Sequence, residues 1–283
     1  MAQILKGLDA AKSICSGFAE DVLTLKAHGI TPTLQIIRVG ERADDISYEK
    51  GACKRARSVG IDVKTTVLDV DCNQDELINV ISHASADNTV HGILLFRPFP
   101  KHINERLVKA ALVPGKDVDG ITDLSLAGVF CGSDLGFPPC TAEACVELLK
   151  RYDIDLCGKK AVVIGRSLVI GKPVSMMLLN ENMTVTICHT KTIGLREICK
   201  DADIIVVATG KRNALTAEFV RAGQVIVDVG IHVDESGKLC GDVDFSAVEP
   251  IISAISPVPG GVGSVTTSIL MSHVVQSAIK SIR

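Results

Sequence analysis

Tryptophan is absent from this 283-residue chain, and two Tyr and seven Phe bring the aromatic share to only 3%. Bulky rings therefore cannot fill its cores, which must rest on Val, Ile, Leu and Ala, the usual filling of parallel sheets covered by helices. A dominant charge sign is missing too. Thirty Lys and Arg against 33 Asp and Glu leave a net charge of −3, which disfavours a nucleic-acid backbone or an anionic membrane as partner and favours a small molecule. Met1 to Leu8 lacks the basic region and apolar stretch of a signal peptide, and no uninterrupted apolar run approaches membrane-spanning length, so the expected location is the cytoplasm. The ten cysteines include no C-x-x-C pair. Reduced, mostly buried thiols are expected rather than a disulfide framework, and neither these residues nor the seven His show metal-ligand spacing, so no metal is expected.

What is present is ordinary for a globular protein: 47% hydrophobic and 22% charged residues, over a length that suits two compact domains. Apolar runs bounded by turn residues alternate with segments of helical period, the pattern of parallel strands joined by crossover helices. Leu8, Ala11, Cys15, Phe18, Val22 and Leu25 share one helix face. Strands are expected at 34–39, 63–68 and 92–95, with helices near 45–58 and 76–84. The stretch CGSDLGFPPC (131–140) resists both periods and marks a boundary. Thr141 can cap the next helix, and further strands read 161–164, 185–188, 204–208, 225–229 and 252–255. The last helix is expected from about Thr266, which can cap it.

The strand AVVI leads into Gly165-Arg166-Ser167-Leu168-Val169-Ile170-Gly171-Lys172-Pro173 and an apolar helix. Strand, glycine turn and helix start is the geometry in which backbone approaches a pyrophosphate and helix N–H groups face the anion. The spacing is not G-x-G-x-x-G, so taken alone it also fits a glycine needed only for a tight turn. The tip of the next strand is more informative. NAD sites usually carry Asp or Glu there, whereas this chain has Cys188-His189-Thr190-Lys191-Thr192, and Arg166 can grip a 2′-phosphate in a planar fork. NADP is favoured over NAD, with Thr190 preferred to His189 or Lys191 as the contact. Ala208-Thr209-Gly210 and Val229-Gly230-Ile231 end two further strands at what should be the same sheet edge, and Pro257 to Gly263 is a stiff glycine-rich loop expected to line the site.

GRSLVIGKP, CHTKT, ATG, DVGI and PVPGGVG, with VPGKDVDG (113–120) and PPCT (138–141), resemble in order and over most of the chain the methylenetetrahydrofolate dehydrogenase/methenyltetrahydrofolate cyclohydrolase family. The resemblance implies an α/β protein of two α/β domains, the C-terminal one a Rossmann-like doubly wound sheet, with the active cleft between them and a homodimeric assembly. Residues 1–138 would form the folate-binding catalytic domain, 139–266 the NADP-binding domain, and a helix at about 267–283 would pack back on the first. It implies NADP contacts at Arg166, Ser167, Thr190, Gly210, Ile231 and Thr266, to which the glycine turns add Gly165, Gly171 and Gly230. Folate contacts fall on Tyr48, Asp119, Pro257 and Gly261, with Tyr48 and Asp119 as the catalytic pair. The implied activity is NADP-dependent oxidation of 5,10-methylenetetrahydrofolate.

The helix carrying Tyr48 departs from the family pattern. The family's Lys, four residues after the Tyr, is Ala52; its Ser, three before, is Asp45; its Gln in the Q-L-P-L-P stretch is Phe96. Lys50 and Lys54 lie roughly 200° and 240° around the helix from Tyr48. Arg97 neighbours Phe96, and strand alternation would point it to the opposite face. Hydride transfer needs positioning alone, whereas hydrolysis needs water delivered and protons moved. A competent dehydrogenase with weak cyclohydrolase is therefore expected; a silent folate or NADP binder, or a dehydrogenase of another small substrate, are the alternatives.

Overall fold

The computed structural model describes residues 1–234 and 237–282. In chain order its elements are β1 (Gln3–Ile4), α1 (Gly7–Gly17), α2 (Ala19–Ala27), β2 (Thr33–Val39), α3 (Ala43–Ser58), β3 (Asp62–Leu68), α4 (Gln74–Ala86), β4 (Gly92–Leu95), α5 (Glu105–Ala110) and α6 (Asp123–Cys131). They continue with α7 (Cys140–Arg151), β5 (Lys160–Ile164), α8 (Gly171–Asn180), β6 (Thr184–Cys188), α9 (Leu195–Asp201), β7 (Ile204–Val207) and β8 (Val225–Asp228). Last come β9 (His232–Val233), β10 (Leu239–Cys240), α10 (Phe245–Val248), β11 (Ala254–Ile255) and α11 (Val262–Lys280).

The chain divides into two compact units, and both draw on both ends of the sequence. One comprises Ile14–Cys140 and Thr267–Arg283, the other Met1–Ser13 and Thr141–Thr266. The sequence reading opened its first domain at residue 1. Instead, β1 pairs with β11 and lies at the edge of the second unit's sheet.

In the Ile14–Cys140 unit, β2 is the middle strand of a parallel sheet ordered β3-β2-β4. All seven β2 residues are buried, as expected where helices cover both faces of a strand. The helices are set by local chemistry. Asn73 caps α4 by accepting from the Glu76 N–H at 2.8 Å, Asp75 and Glu76 sit at its positive end, and Leu77 and Ile81, one turn apart, are buried. The residues read as one long N-terminal helix form two, α1 and α2, broken at Phe18 after Gly17, a poor helix former. Leu8 points outward, while Phe18, Val22 and Leu25 are buried.

The second unit holds a six-stranded, fully parallel sheet ordered β6-β5-β7-β8-β11-β1. The chain moves outward from β5 to β6, then crosses back to place β7 on the other side of β5. Strand order therefore reverses between β5 and β7, the place where doubly wound sheets take a ligand across their carboxyl ends. Val162, Ile164, Ile205, Val207, Ile226 and Ile255 form a buried aliphatic cluster with residues of α9 and the connecting loops, the Trp-free core that composition demanded.

Three end positions differ from the sequence reading. The helix expected after Thr141 begins at Cys140, so Thr141 lies in its first turn instead of capping it. The final helix begins at Val262 rather than Thr266; Thr266 is buried inside it, its hydroxyl donating back to the Val262 carbonyl at 3.3 Å. At 19 residues and mean hydropathy 1.2, α11 is long and apolar enough to cross a membrane, but 67% of it is buried within the protein, as a core helix is. Five of the ten cysteines are buried, while Cys131 and Cys157 are exposed. Among the described residues, no group of three or more His, Cys, Asp or Glu could hold a metal.

Candidate active site

On the six-stranded sheet, parallel pairing puts every strand's carboxyl end at one edge. Gly165, Arg166 and Ser167 follow β5, His189 and Thr190 follow β6, Thr209 and Gly210 follow β7, and Gly230 and Ile231 follow β8; Pro257 lies just past β11. Arg166, Ser167, Thr190, Gly210 and Ile231 are exposed there. Gly165 has φ +139°, and a Cβ on it would run into the Ala208 carbonyl at the tip of β7. A Cβ on Gly171 would stand 2.5 Å from the Gly165 carbonyl carbon and 2.7 Å from the Arg166 nitrogen. Both glycines let the β5 turn, the α8 start and the β7 tip approach more closely than any side chain permits.

The start of α8 is not bare. Ser167 Oγ accepts from the Ile170 N–H at 3.1 Å and the Gly171 N–H at 3.5 Å, and its carbonyl accepts from the Lys172 N–H at 3.0 Å. Ser167 thus closes the turn and satisfies amides that the sequence reading left open to an anion. Past β6, the Thr192 hydroxyl accepts from the His189 N–H at 2.8 Å, and His189 Nδ1 accepts from the Lys191 N–H at 3.1 Å. Thr192 and His189 therefore build the loop that presents Thr190. Gly7 N–H donates to the Gly260 carbonyl at 2.7 Å, pinning the Pro257–Gly261 loop to the start of α1.

Under the β7 and β8 tips lies a pair of acids that the sequence reading passed over. Asp228 Oδ1 accepts from the Gly230 and Asp242 N–H groups and Oδ2 from the Val243 N–H, each at 3.0 Å. Burial raises its pKa to about 6 against the lowering effect of those three amides. The available signal was the run Gly241-Asp242-Val243-Asp244, with glycine beside buried acid.

In the other unit, Tyr48 stands on α3 with its ring edge-on to Phe96, centroids 5.7 Å apart and planes at 79°. Its ring is 36% accessible, yet surrounding protein raises the phenol pKa well above the usual value, by desolvation first and then by the charges of Asp119 and Cys140. Asp45, Ala52 and Ala56 are buried along the same helix. Asp45 pairs with Arg42 at 4.0 Å in the first turn.

The two acids of Lys116-Asp117-Val118-Asp119-Gly120 do different work. Asp117 is fully buried and accepts from the Ile121 N–H at 3.0 Å, the Thr122 N–H at 2.7 Å and the Ser125 hydroxyl at 2.6 Å, which locks the start of α6. Asp119 is half-buried, on a turn made by Gly120 at φ +67°, whose missing Cβ leaves room for the Pro138–Pro139 backbone. Desolvation raises its pKa to about 6; Arg97 opposes this most, Asp117 adds to the rise, and a Cys140 hydrogen bond and His273 lower it. Behind it Cys140 Sγ donates to the Val118 carbonyl at 3.1 Å, and His273 Nδ1, 2.8 Å from the same carbonyl, stacks on Phe137 with centroids 4.8 Å apart. Cys140, the residue at a helix start, is thus part of the packing behind Asp119.

Arg97 requires a correction. Strand alternation would turn it away, but β4 ends at Leu95, so residues 96 and 97 lie beyond the strand and alternation does not apply. Its guanidinium pairs with Glu105 at 3.2 Å and acts on Asp119. Lys50 and Lys54 are exposed and line a shallow groove with Glu49, Cys53 and Arg57, apart from the buried face of α3 that holds Ala52.

Fold and geometry define a two-unit α/β protein with a dinucleotide-type sheet edge on one unit and a carboxylate-and-aromatic site on the other. The chain belongs to the tetrahydrofolate dehydrogenase/cyclohydrolase family: residues 5–119 match the model of its catalytic domain and residues 139–282 that of its NAD(P)-binding domain. It is 50% identical over 275 residues to the bifunctional protein FolD of Clostridioides difficile, covering 97% of this chain and 96% of that one. The crystal structure of the Campylobacter jejuni bifunctional enzyme FolD superposes with a TM-score of 0.96 at 39% identity, over 99% of both chains. That of the Trypanosoma brucei FolD, complexed with NADP cofactor and inhibitor, gives 0.93 at 31%, over 100% of this chain and 99% of the other.

Proposed function

We propose that the protein oxidises 5,10-methylenetetrahydrofolate to 5,10-methenyltetrahydrofolate with NADP, as a cytoplasmic homodimer, using the unit built on Ile14–Cys140 for the folate and the unit that holds Thr141–Thr266 for the coenzyme. The observation that carries this is Asp119, a half-buried carboxylate beside Tyr48 at the place where the family motif puts the folate contact. Ionised, it is an acceptor for the amino and ring N–H donors of a pteridine, and Tyr48 with Phe96 offers a wall for the flat ring system. The substrate's own nitrogen lone pair stabilises the cation left behind, so no protein base is required and these side chains act by orientation.

For NADP, the missing side chains of Gly165 and Gly171 let the β5 turn close tightly against the α8 start and the Ala208 carbonyl, and the tip of β6 carries no carboxylate to repel a 2′-phosphate. Arg166 and Thr190 would hold that phosphate, with Gly165, Ser167, Gly171, Gly210, Gly230, Ile231 and Thr266 framing the rest, and Pro257 and Gly261 on the folate side. When bound, NADP supplies the hydride acceptor.

Hydrolysis of the methenyl product is expected to be weak. Ala52 has no proton to deliver, and Phe96 replaces the amide that would orient water. Purified protein given methylenetetrahydrofolate and NADP should generate reduced coenzyme, read by its absorbance; coenzyme binding without turnover would show a silent binder instead. Methenyltetrahydrofolate added to the protein should decay at close to its uncatalysed rate, and fast enzymatic decay would refute the second half of the proposal.

A further inference from the structure

Asp242 has no accessible surface. A carboxylate so placed is costly unless its lone pairs are filled, and the donors that fill these come from two separate turns. Oδ2 accepts from the Thr209 N–H at 2.6 Å, the Thr209 hydroxyl at 2.9 Å and the Gly210 N–H at 3.0 Å, all in the turn after β7. Oδ1 lies 2.7 Å from His232 Nε2, on the strand that follows the β8 turn. Asp242 is itself held from behind: its N–H donates to Asp228, and its carbonyl accepts from the Ala214 N–H at 2.7 Å. Asp228 also takes the Gly230 N–H. Gly230 and Gly241 cannot carry side chains, because the carboxylates of Asp242 and Asp228 occupy that space.

We infer that Asp242 is a positioning residue for the nicotinamide half of the coenzyme, an inference that rests on the NADP reading above. The reversal of strand order between β5 and β7 divides the edge in two. Tips of β5 and β6 carry the pyrophosphate turn and the residues suited to a 2′-phosphate, so the adenosine half lies there and the nicotinamide half falls to the tips of β7 and β8. Those are the two turns that Asp242 ties together. Asp242 reaches the coenzyme only through Thr209, Gly210 and His232, setting where the ring's carboxamide and reacting face are presented.

This predicts a selective defect. In Asp242→Asn the amide keeps one acceptor oxygen but loses the charge, and its N–H₂ must face either the Thr209 and Gly210 donors or a His232 that has to change tautomer to accept it. Binding of NADP and kcat/KM for the dehydrogenase reaction should fall about 10- to 100-fold, the scale of a misplaced reacting group. Binding of 2′,5′-ADP, a probe for the adenosine half alone, should stay within about twofold of the unaltered protein. Asp244→Asn, two residues along on the cap of α10, should change neither ligand. Calorimetric titration of NADP and 2′,5′-ADP into the three proteins, with a thermal melt of each, reads all of this. Equal loss of both ligands in Asp242→Asn, or loss of neither, would overturn the inference while leaving the coenzyme reading intact. Failure of both ligands on the unaltered protein would overturn that reading and the inference with it. Were Asp242→Asn not to melt cooperatively, His232→Gln, which alters only the donor to Oδ1, carries the same comparison with the same selective loss expected.

Discussion

Replacing Gly165 with Ala tests whether the β5 turn owes its shape to a missing side chain. At φ +139° an L-residue is strained by roughly 1–2 kcal/mol. The new Cβ would also press on the Ala208 carbonyl, with its carbonyl carbon 3.0 Å away; this is backbone of β7, bonded to Ile164 through the Ala208 N–H at 2.9 Å, and cannot swing aside as a side chain could. Overpacking of that kind costs about 1–3 kcal/mol. Reduced freedom of the unfolded chain returns about 1 kcal/mol, leaving a net loss of roughly 1–4 kcal/mol. At about 2–4 °C per kcal/mol for a unit of this size, the transition should fall by roughly 2–16 °C in a calorimetric scan, with NADP affinity falling too. Gly263→Ala is the control. Its site lies in α11, has open space and no positive φ, so the substitution should stabilise by about 0.5–1 kcal/mol. A Gly165→Ala protein melting within about 2 °C of the original, at control-like affinity, would refute the reasoning.

Other outcomes follow from the site. The Asp119 carboxyl, raised to about 6 by burial, must be ionised to accept from a pteridine, so kcat/KM for the folate should fall about tenfold per pH unit below 6. Arg97→Met, which removes the largest opposing charge, should move that limb to higher pH. A raised folded-state pKa favours the native state below the unfolded value of 3.8, and that advantage is lost as pH rises through about 6. Asp119→Asn should therefore gain stability over the original at pH 8 and lose that gain by pH 4, read by urea unfolding. Asp117→Ala strands three donors around a fully buried site and should cost about 3 kcal/mol or more in the same assay. Arg166→Gln should narrow the preference for NADP over NAD by about 10- to 100-fold in KM, the value of a charge-assisted contact to phosphate. Ala52→Lys should raise methenyltetrahydrofolate hydrolysis at least about tenfold over the original protein, at a stability cost of about 1–3 kcal/mol for filling a closed position.

The inner strands were legible because parallel strands buried on both faces read as unbroken apolar runs, as in Ile204–Val207 and Val225–Asp228, whereas the two-residue edge strand β1 gave no such signal. Less legible were ends and breaks. Thr266 looks like a cap, but the tight Gly260–Gly261 turn lets the helix begin four residues earlier, and the hydroxyl turns back on the ladder. Nothing in the spacing from Leu8 to Leu25 reports the break at Phe18, since the helical period survives a short interruption. Asp119 was readable from Asp-Gly turn chemistry and the family motif. Asp117, two residues earlier in the same motif, was not distinguished as structural because burial is a property of the fold. Asp228 and Asp242 were overlooked for the same reason: an acid in a loop reads as solvated until its donors, drawn from turns 14 and 33 residues distant, are in place.

The pairing of β1 with β11 joins Ile4 to Ile255. During synthesis the first of these leaves the ribosome some 250 residues before the second, a wait of about 12–50 s at ordinary elongation rates. Until the strand around Ile255 emerges, the leading segment has no sheet to join; afterwards it covers a parallel edge that would otherwise be left open to other chains. The β1 segment is thus seated late, and a defect confined to it would surface only once the strand around Ile255 has been made.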